Sequence, residues 1–140
     1  MQEAIAIARK ATKTGDNRDI NDSINPGYDL NVGVDNPSAG SPNWFAGKLT
    51  NFRWDNSAIY TGSSLTVPTS PLTADSDTKL LLLAADTGSL TSDSSPLAKT
   101  VTNQSATFSI DSPFTGSVGG SINFAGNSYF TVPQSTDWDL

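Results

Sequence analysis

The sequence predicts an all-β protein of short antiparallel strands, and three observations carry that prediction. Ser (19) and Thr (16) make up a quarter of the 140 residues, with 11 Gly, 11 Asn and 8 Pro besides, a vocabulary of strands and turns. Thirteen of the fourteen acids are Asp, and Glu3 stands alone. Asp makes short local hydrogen bonds in turns and at strand edges, whereas Glu favours helices. Apolar residues come in brief alternating or continuous runs between Gly, Pro, Asn and Ser. The length suits one domain, or part of one, with room for a real core.

The elements follow in order. Residues 1–28 read as an N-terminal arm and loop. Within it Ile5 and Ile7 alternate with small alanines, which suits a strand over 3–9, although Ala, Gln, Glu, Lys and Arg there also favour helix. Leu30, Val32 and Val34 fall on one face of a half-buried strand over 29–34, and DNPSAGSPN (35–43) is a turn-rich connection. A strand is expected from about Gly47 to Trp54, with Thr50, Phe52 and Trp54 on one face and Leu49, Asn51 and Arg53 on the other. Pro68 and Pro71 hold 55–78 to extended or turn conformations. Leu80 to Ala85 is continuously apolar, as in a strand covered on both faces. After the polar 86–96 come short strands near 99–103 and 105–110, then a connector over 111–120. Residues 121–132 read as a hairpin turning at Gly126-Asn127, and 133–140 as loop.

Composition removes whole classes of chemistry. With no Cys there is neither disulfide nor thiolate metal site, and with no His the usual general base and zinc ligand are missing. Eight basic residues against fourteen acids give a net charge of −6. A negative surface repels phosphate backbones and anionic headgroups, so nucleic acid and membrane are poor partners. No apolar run approaches a membrane span, and the N-terminus lacks the apolar core of a secretory signal.

The ordered series Trp44-Phe45-x-Gly47-x-Leu49-x-Asn51-Phe52-Arg53, Ala58-Ile59-Tyr60-Thr61, Pro68-Thr69-x-Pro71-Leu72, Leu80–Leu83 and Ser112-Pro113-Phe114 resembles the concanavalin A-like, laminin-G-like sandwich. More narrowly, it is similar to the tandem copies of that domain in structural and tail proteins of bacteriophages and large viruses. The resemblance implies an antiparallel jelly-roll sandwich of seven to ten strands, with 29–114 as its late-strand half. Gly120-Ser121-Ile122-Asn123-Phe124-x-Gly126, Tyr129-x-Thr131-Val132-Pro133 and Asp137-Trp138-Asp139-Leu140 resemble the opening of another copy, so 115–140 is expected to be a connector plus the opening hairpin of that copy. Three explanations stand open: a piece of a longer tandem protein, a sandwich permuted in order, or a protomer completed by a neighbour. In each, 121–132 is expected to pair with strands from 29–110 or with another copy. The implied role is a non-enzymatic structural or adhesion module at a virion or extracellular surface, partnered by other subunits or its own copies and by host glycans. The alternative is a carbohydrate-binding module of a secreted or cell-surface protein.

Candidate sites are few. Aromatics crowd into 44–60, and alternation turns Phe52 and Trp54 inward, with Leu80, Leu81, Leu82, Leu83, Phe108 and Phe124 as further core. Trp44, at a loop edge, is the best candidate to stack on a sugar ring, and Trp138 a weaker one. Asp75-x-Asp77 is the pair retained as a calcium candidate, since Ca²⁺ takes six to eight oxygens. No complete D-x-D-x-D-G loop exists, and solvated turn Asp is the ordinary reading; no other cofactor is implied. Glucanases of similar fold place catalytic Glu residues along one strand, which one Glu cannot reproduce. Asn21-Asp22-Ser23 and Asn103-Gln104-Ser105 match the N-glycosylation triplet, at a frequency chance explains. Arg9, Lys10, Lys13 and Arg18 form a basic cluster that reads as a solvated end.

Overall fold

A computed structural model describes residues 29–35, 37–38, 40–59, 64, 66–114 and 119–138. The strand expected over 3–9, the basic cluster at 9–18, Asn21, Tyr60 and Asp139 lie outside them. The described residues form eight strands: β1 (Leu30–Val32), β2 (Ala46–Leu49), β3 (Phe52–Asp55), β4 (Thr78–Leu82), β5 (Thr102–Gln104), β6 (Thr107–Ser109), β7 (Ser121–Ala125) and β8 (Tyr129–Val132). All pairings are antiparallel. The strands make three small sheets, ordered β1-β8-β5, β2-β7-β6 and β3-β4. The fold is all-β and sandwich-like.

The registers reveal how the first two sheets are related. β7 and β8 are consecutive but do not pair with each other, which corrects the hairpin expected over 121–132. Ile122 lies opposite Leu49 and Phe108, while Phe130 lies opposite Val32 and Asn103. The segment thus runs through the centre of both sheets, with β1 and β2 along one flank and β5 and β6 along the other. It bends at Gly126–Ser128, where Gly126 takes φ +83° and the Ser128 hydroxyl accepts from the Ala125 amide at 3.0 Å. Ser105, at φ +66°, turns the β5–β6 flank at a matching level. One three-stranded sheet is in effect folded over, its strands passing from layer to layer at bends.

The continuous strand expected over 47–54 is also broken. Asn51 takes φ +56°, so β2 ends at Leu49 and β3 starts at Phe52. Asn tolerates the left-handed region because its short side chain bonds locally. Here Asn51 Nδ2 donates to Thr50 Oγ1 at 2.9 Å, and Oδ1 accepts from the Leu72 amide at 2.7 Å. The bend undoes strict alternation, so Leu49 joins Phe52 and Trp54 in the apolar core, while Thr50, also buried, donates its hydroxyl to Leu83 O at 3.2 Å.

That core is single. Val32, Leu49, Phe52, Trp54, Leu80, Leu82, Ile122, Phe124, Phe130, Val132 and Trp138 are among its members, drawn from all three sheets. Leu80, Leu81 and Leu82 are all enclosed, as a strand covered on both faces requires. Leu81 points away from the main cluster, and residues 93–94 line the free edge of β4: the Leu81 amide donates to Asp93 Oδ1, and its carbonyl accepts from the Ser94 amide. Leu83 and Phe108 are only half buried. At the first bend Gly33, with φ +100°, lies so close to Phe124 that a Cβ would meet the ring at 2.8 Å.

Candidate functional site

The surface feature with the most distinctive chemistry is aromatic. Between β1 and β2 the chain is clipped at the base of the connection. Val34 bridges Trp44, the Phe45 amide donates to Gly33 O, and both the amide and the Nδ2 of Asn43 donate to the Asp35 carboxylate at 2.9 and 2.6 Å. This holds Trp44 beside Tyr129 of β8, ring centroids 5.8 Å apart and tilted by 49°. Phe45 meets Phe124 edge-on at 5.9 Å. Its ring lies over Gly47, where a Cβ would come within 2.9 Å of it. Trp44 and Phe45 remain 36% and 37% exposed. They offer apolar ring faces beside the phenol of Tyr129, a combination suited to the C–H face of a sugar or to an apolar partner. Tyr129 carried no local sequence signal as a partner of Trp44, because only the β1–β8 pairing brings residues so distant in sequence together.

Trp138 is a different case. It is 2% exposed, packs edge-on against Trp54 at 6.1 Å and donates its indole N–H to Pro133 O at 3.2 Å. Lys99 Nζ lies 4.9 Å from its ring centroid and also donates to Asp137 and Ser135. With no open face, Trp138 is a core residue rather than a stacking platform. The loop expected over 133–140 contains a 3-10 turn at Thr136–Trp138 that turns the indole inward.

The calcium candidates Asp75 and Asp77 are engaged elsewhere. Arg53, on the outer face of β3, donates to both oxygens of buried Asp55, to Thr73 O at 2.8 Å and to Asp75 Oδ2 at 2.6 Å. Asp75 Oδ1 accepts from the amides of Asp77 and Thr78 and from the Thr78 hydroxyl. Asp77 Oδ2 accepts from Ser57. The hydrogen bond from Arg53, more than any other cause, holds the Asp75 carboxyl below its usual range. The bond to Asp55 likewise raises the guanidinium. A guanidinium against Asp75 repels a dication from the same oxygens. Among the described residues no three His, Cys, Asp or Glu side chains cluster as metal ligands.

The other described aspartates also act locally. Asp93 accepts from the amides of Leu81, Ser95 and Lys99 and from the Ser95 hydroxyl. Asp86 caps a 3-10 turn, Asp29 accepts from the Gln134 amide, and Asp111 pairs with Lys48. Asn103, of the second glycosylation triplet, is spent on both the amide and the carbonyl of Ala106. A recess of about 70 Å³, mainly apolar, lies among Thr50, Asn51, Pro71, Leu83, Phe114 and Gly120. It is too small for a metabolite.

Compared with family models, curated proteins and solved structures, the chain matches none.

Proposed function

We propose that this chain is a non-enzymatic structural and adhesion module of a virion or surface appendage. In this reading it is a jelly-roll sandwich of the concanavalin A-like, laminin-G-like kind that contacts host glycans. The observation that carries it is how the acids are used. Each aspartate among the described residues serves a backbone amide, a hydroxyl, an amide side chain or a neighbouring cation, the use a scaffold makes of its acids. Absence of His and Cys removes the usual nucleophile partners. The aromatic surface that suits a sugar ring is the pair Trp44 and Phe45 beside Tyr129. Surface acidity disfavours nucleic acid and membranes as partners and leaves other subunits, further copies and neutral glycans.

The same patch favours a second reading, a carbohydrate-binding module of a secreted or cell-surface protein. A glycan array run with wild type and Trp44→Ala, together with the mass of the native assembly, separates the two. Glycan binding that falls at least about tenfold on substitution, in an assembly whose subunit contacts each bury over about 1,000 Å², fits the adhesion module. Equal binding loss in a protein that stays monomeric fits the second reading. Silence across the array removes the glycan from both.

A further inference from the structure

We propose that the outer face of the β1-β8-β5 sheet binds neutral oligosaccharides of two or more rings. Trp44 and Tyr129 seat one ring, and Gln104, Thr131, Asn31 and Thr102 bond the hydroxyls of that ring and the next. The assignment rests on the glycan reading and adds to it the surface, the charge and the length of the ligand.

The registers carry it. Val32 of β1 and Phe130 and Val132 of β8 belong to the core. Side chains alternate along a strand, so Asn31, Tyr129 and Thr131 take the opposite face. Directly opposed residues of an antiparallel pair share a face. Gln104 lies opposite Tyr129, while Thr102 and Asn31 flank Thr131. Trp44 packs beside the Tyr129 phenol from the β1–β2 connection. Two rows result: Trp44, Tyr129 and Gln104, then Asn31, Thr131 and Thr102. They lie about 7 Å apart along the strands, and the second crosses about 10 Å of sheet.

Each row suits a different part of a sugar. Aromatic faces take the C–H face of a ring, whereas hydroxyls at its edge need groups that both donate and accept. A carboxamide and a hydroxyl do both. Thr102 and Gln104 are exposed, and Asn31, Tyr129 and Thr131 are half buried. No described residue bonds the side chain of Thr102 or Gln104. Thr131 donates to Asn31 Oδ1 only at 3.5 Å, which leaves the Asn31 Nδ2 donor unspent. In a chain of net charge −6, these six residues carry no formal charge. The carboxylates nearest in sequence, Asp29 and Asp35, are turned to the Gln134 amide and to Asn43. A neutral ligand meets neither repulsion nor an unpaired charge there, and two rows offer more than one ring can use.

The test is an array of neutral, sialylated and sulfated glycans, from single sugars to tetrasaccharides, read with the full chain. Wild type is compared with Trp44→Ala, Gln104→Ala, Thr102→Val and, as a distant control, Thr107→Val on β6. Thr102 and Gln104 are exposed, so these variants should unfold at the wild-type midpoint. Wild type should bind neutral chains of two or more sugars, and Trp44→Ala should weaken that at least about tenfold. Gln104→Ala and Thr102→Val should each weaken it about three- to tenfold, the worth of one hydrogen bond, and Thr107→Val should leave it unchanged. Binding lost in Trp44→Ala but equal to wild type in both Gln104→Ala and Thr102→Val overturns the assignment and leaves the glycan reading standing. Hits confined to acidic glycans do the same. Wild-type silence across the array removes both together.

Discussion

At the residue scale the recurring device is the aspartate staple. A short carboxylate reaches nearby amides that a strand end or turn leaves unpaired, and each such bond stabilises by more than a neutral one because the acceptor is charged. Asp93 is the fullest case, joining β4 to the segment that runs past its edge. Asp93→Ala strands several half-buried donors and should cost about 2–3 kcal/mol in chemical denaturation. The ion pairs set a pH dependence of definite sign. Asp75, Asp111 and Asp137 each have a folded-state pKa below the ordinary value of 3.8, chiefly through Arg53, Lys48 and Lys99 respectively. A depressed carboxyl contributes stability that is complete above the unfolded pKa and is lost as pH falls through the folded one. The thermal midpoint should therefore hold above the ordinary carboxylate range and decline as pH falls through and below it. Lys99→Met keeps an apolar stem over Trp138 and removes the charge, so the acid-dependent part of its decline should be smaller than in wild type.

At the element scale the bends matter more than the strands. β2 and β3 read in the sequence as one alternating strand, and most of their inward residues were legible there. What alternation could not reveal was the left-handed Asn51, which resets the phase by placing two residues between Leu49 and Phe52. Asn51→Ala removes the acceptor for the Leu72 amide and leaves a Cβ in the left-handed region without the amide bonds that offset it. The expected loss is about 2–3 kcal/mol. Asn51→Gly keeps the backbone conformation at no steric cost, so its loss should be smaller by roughly 1 kcal/mol. Equal losses in thermal or denaturant unfolding would remove backbone strain from the account. Gly126-Asn127 was likewise legible as a turn, but a turn dipeptide marks only a change of direction. Whether the chain doubles back into its own sheet or crosses to the next depends on which partners wait there.

At the scale of the whole molecule, the last described strands sit at the centre of the fold. Their amides are bonded to flanking strands on both sides, so the amides of Ile122, Phe124, Phe130 and Val132 should exchange with solvent slowest. Those of β1 and β5 should exchange faster, and comparable rates across centre and flanks would argue against this topology. Composition and patterning alone determined much: an all-β chain without thiol or imidazole chemistry, some of its buried residues (Phe52, Trp54, Leu80, Leu81, Leu82 and Phe124), and a tail whose apolar face needed a partner. These follow from local rules, since turn propensity, alternation and the inventory of functional groups are properties of short segments. The tertiary structure alone decided that the tail closes both sheets, that Trp138 is enclosed while Trp44 stays open beside Tyr129, and that Arg53 takes the carboxylate of Asp75. Each of those outcomes rests on contacts between residues far apart in the chain. Such contacts are set by the total burial and pairing available to the molecule, which no single segment encodes.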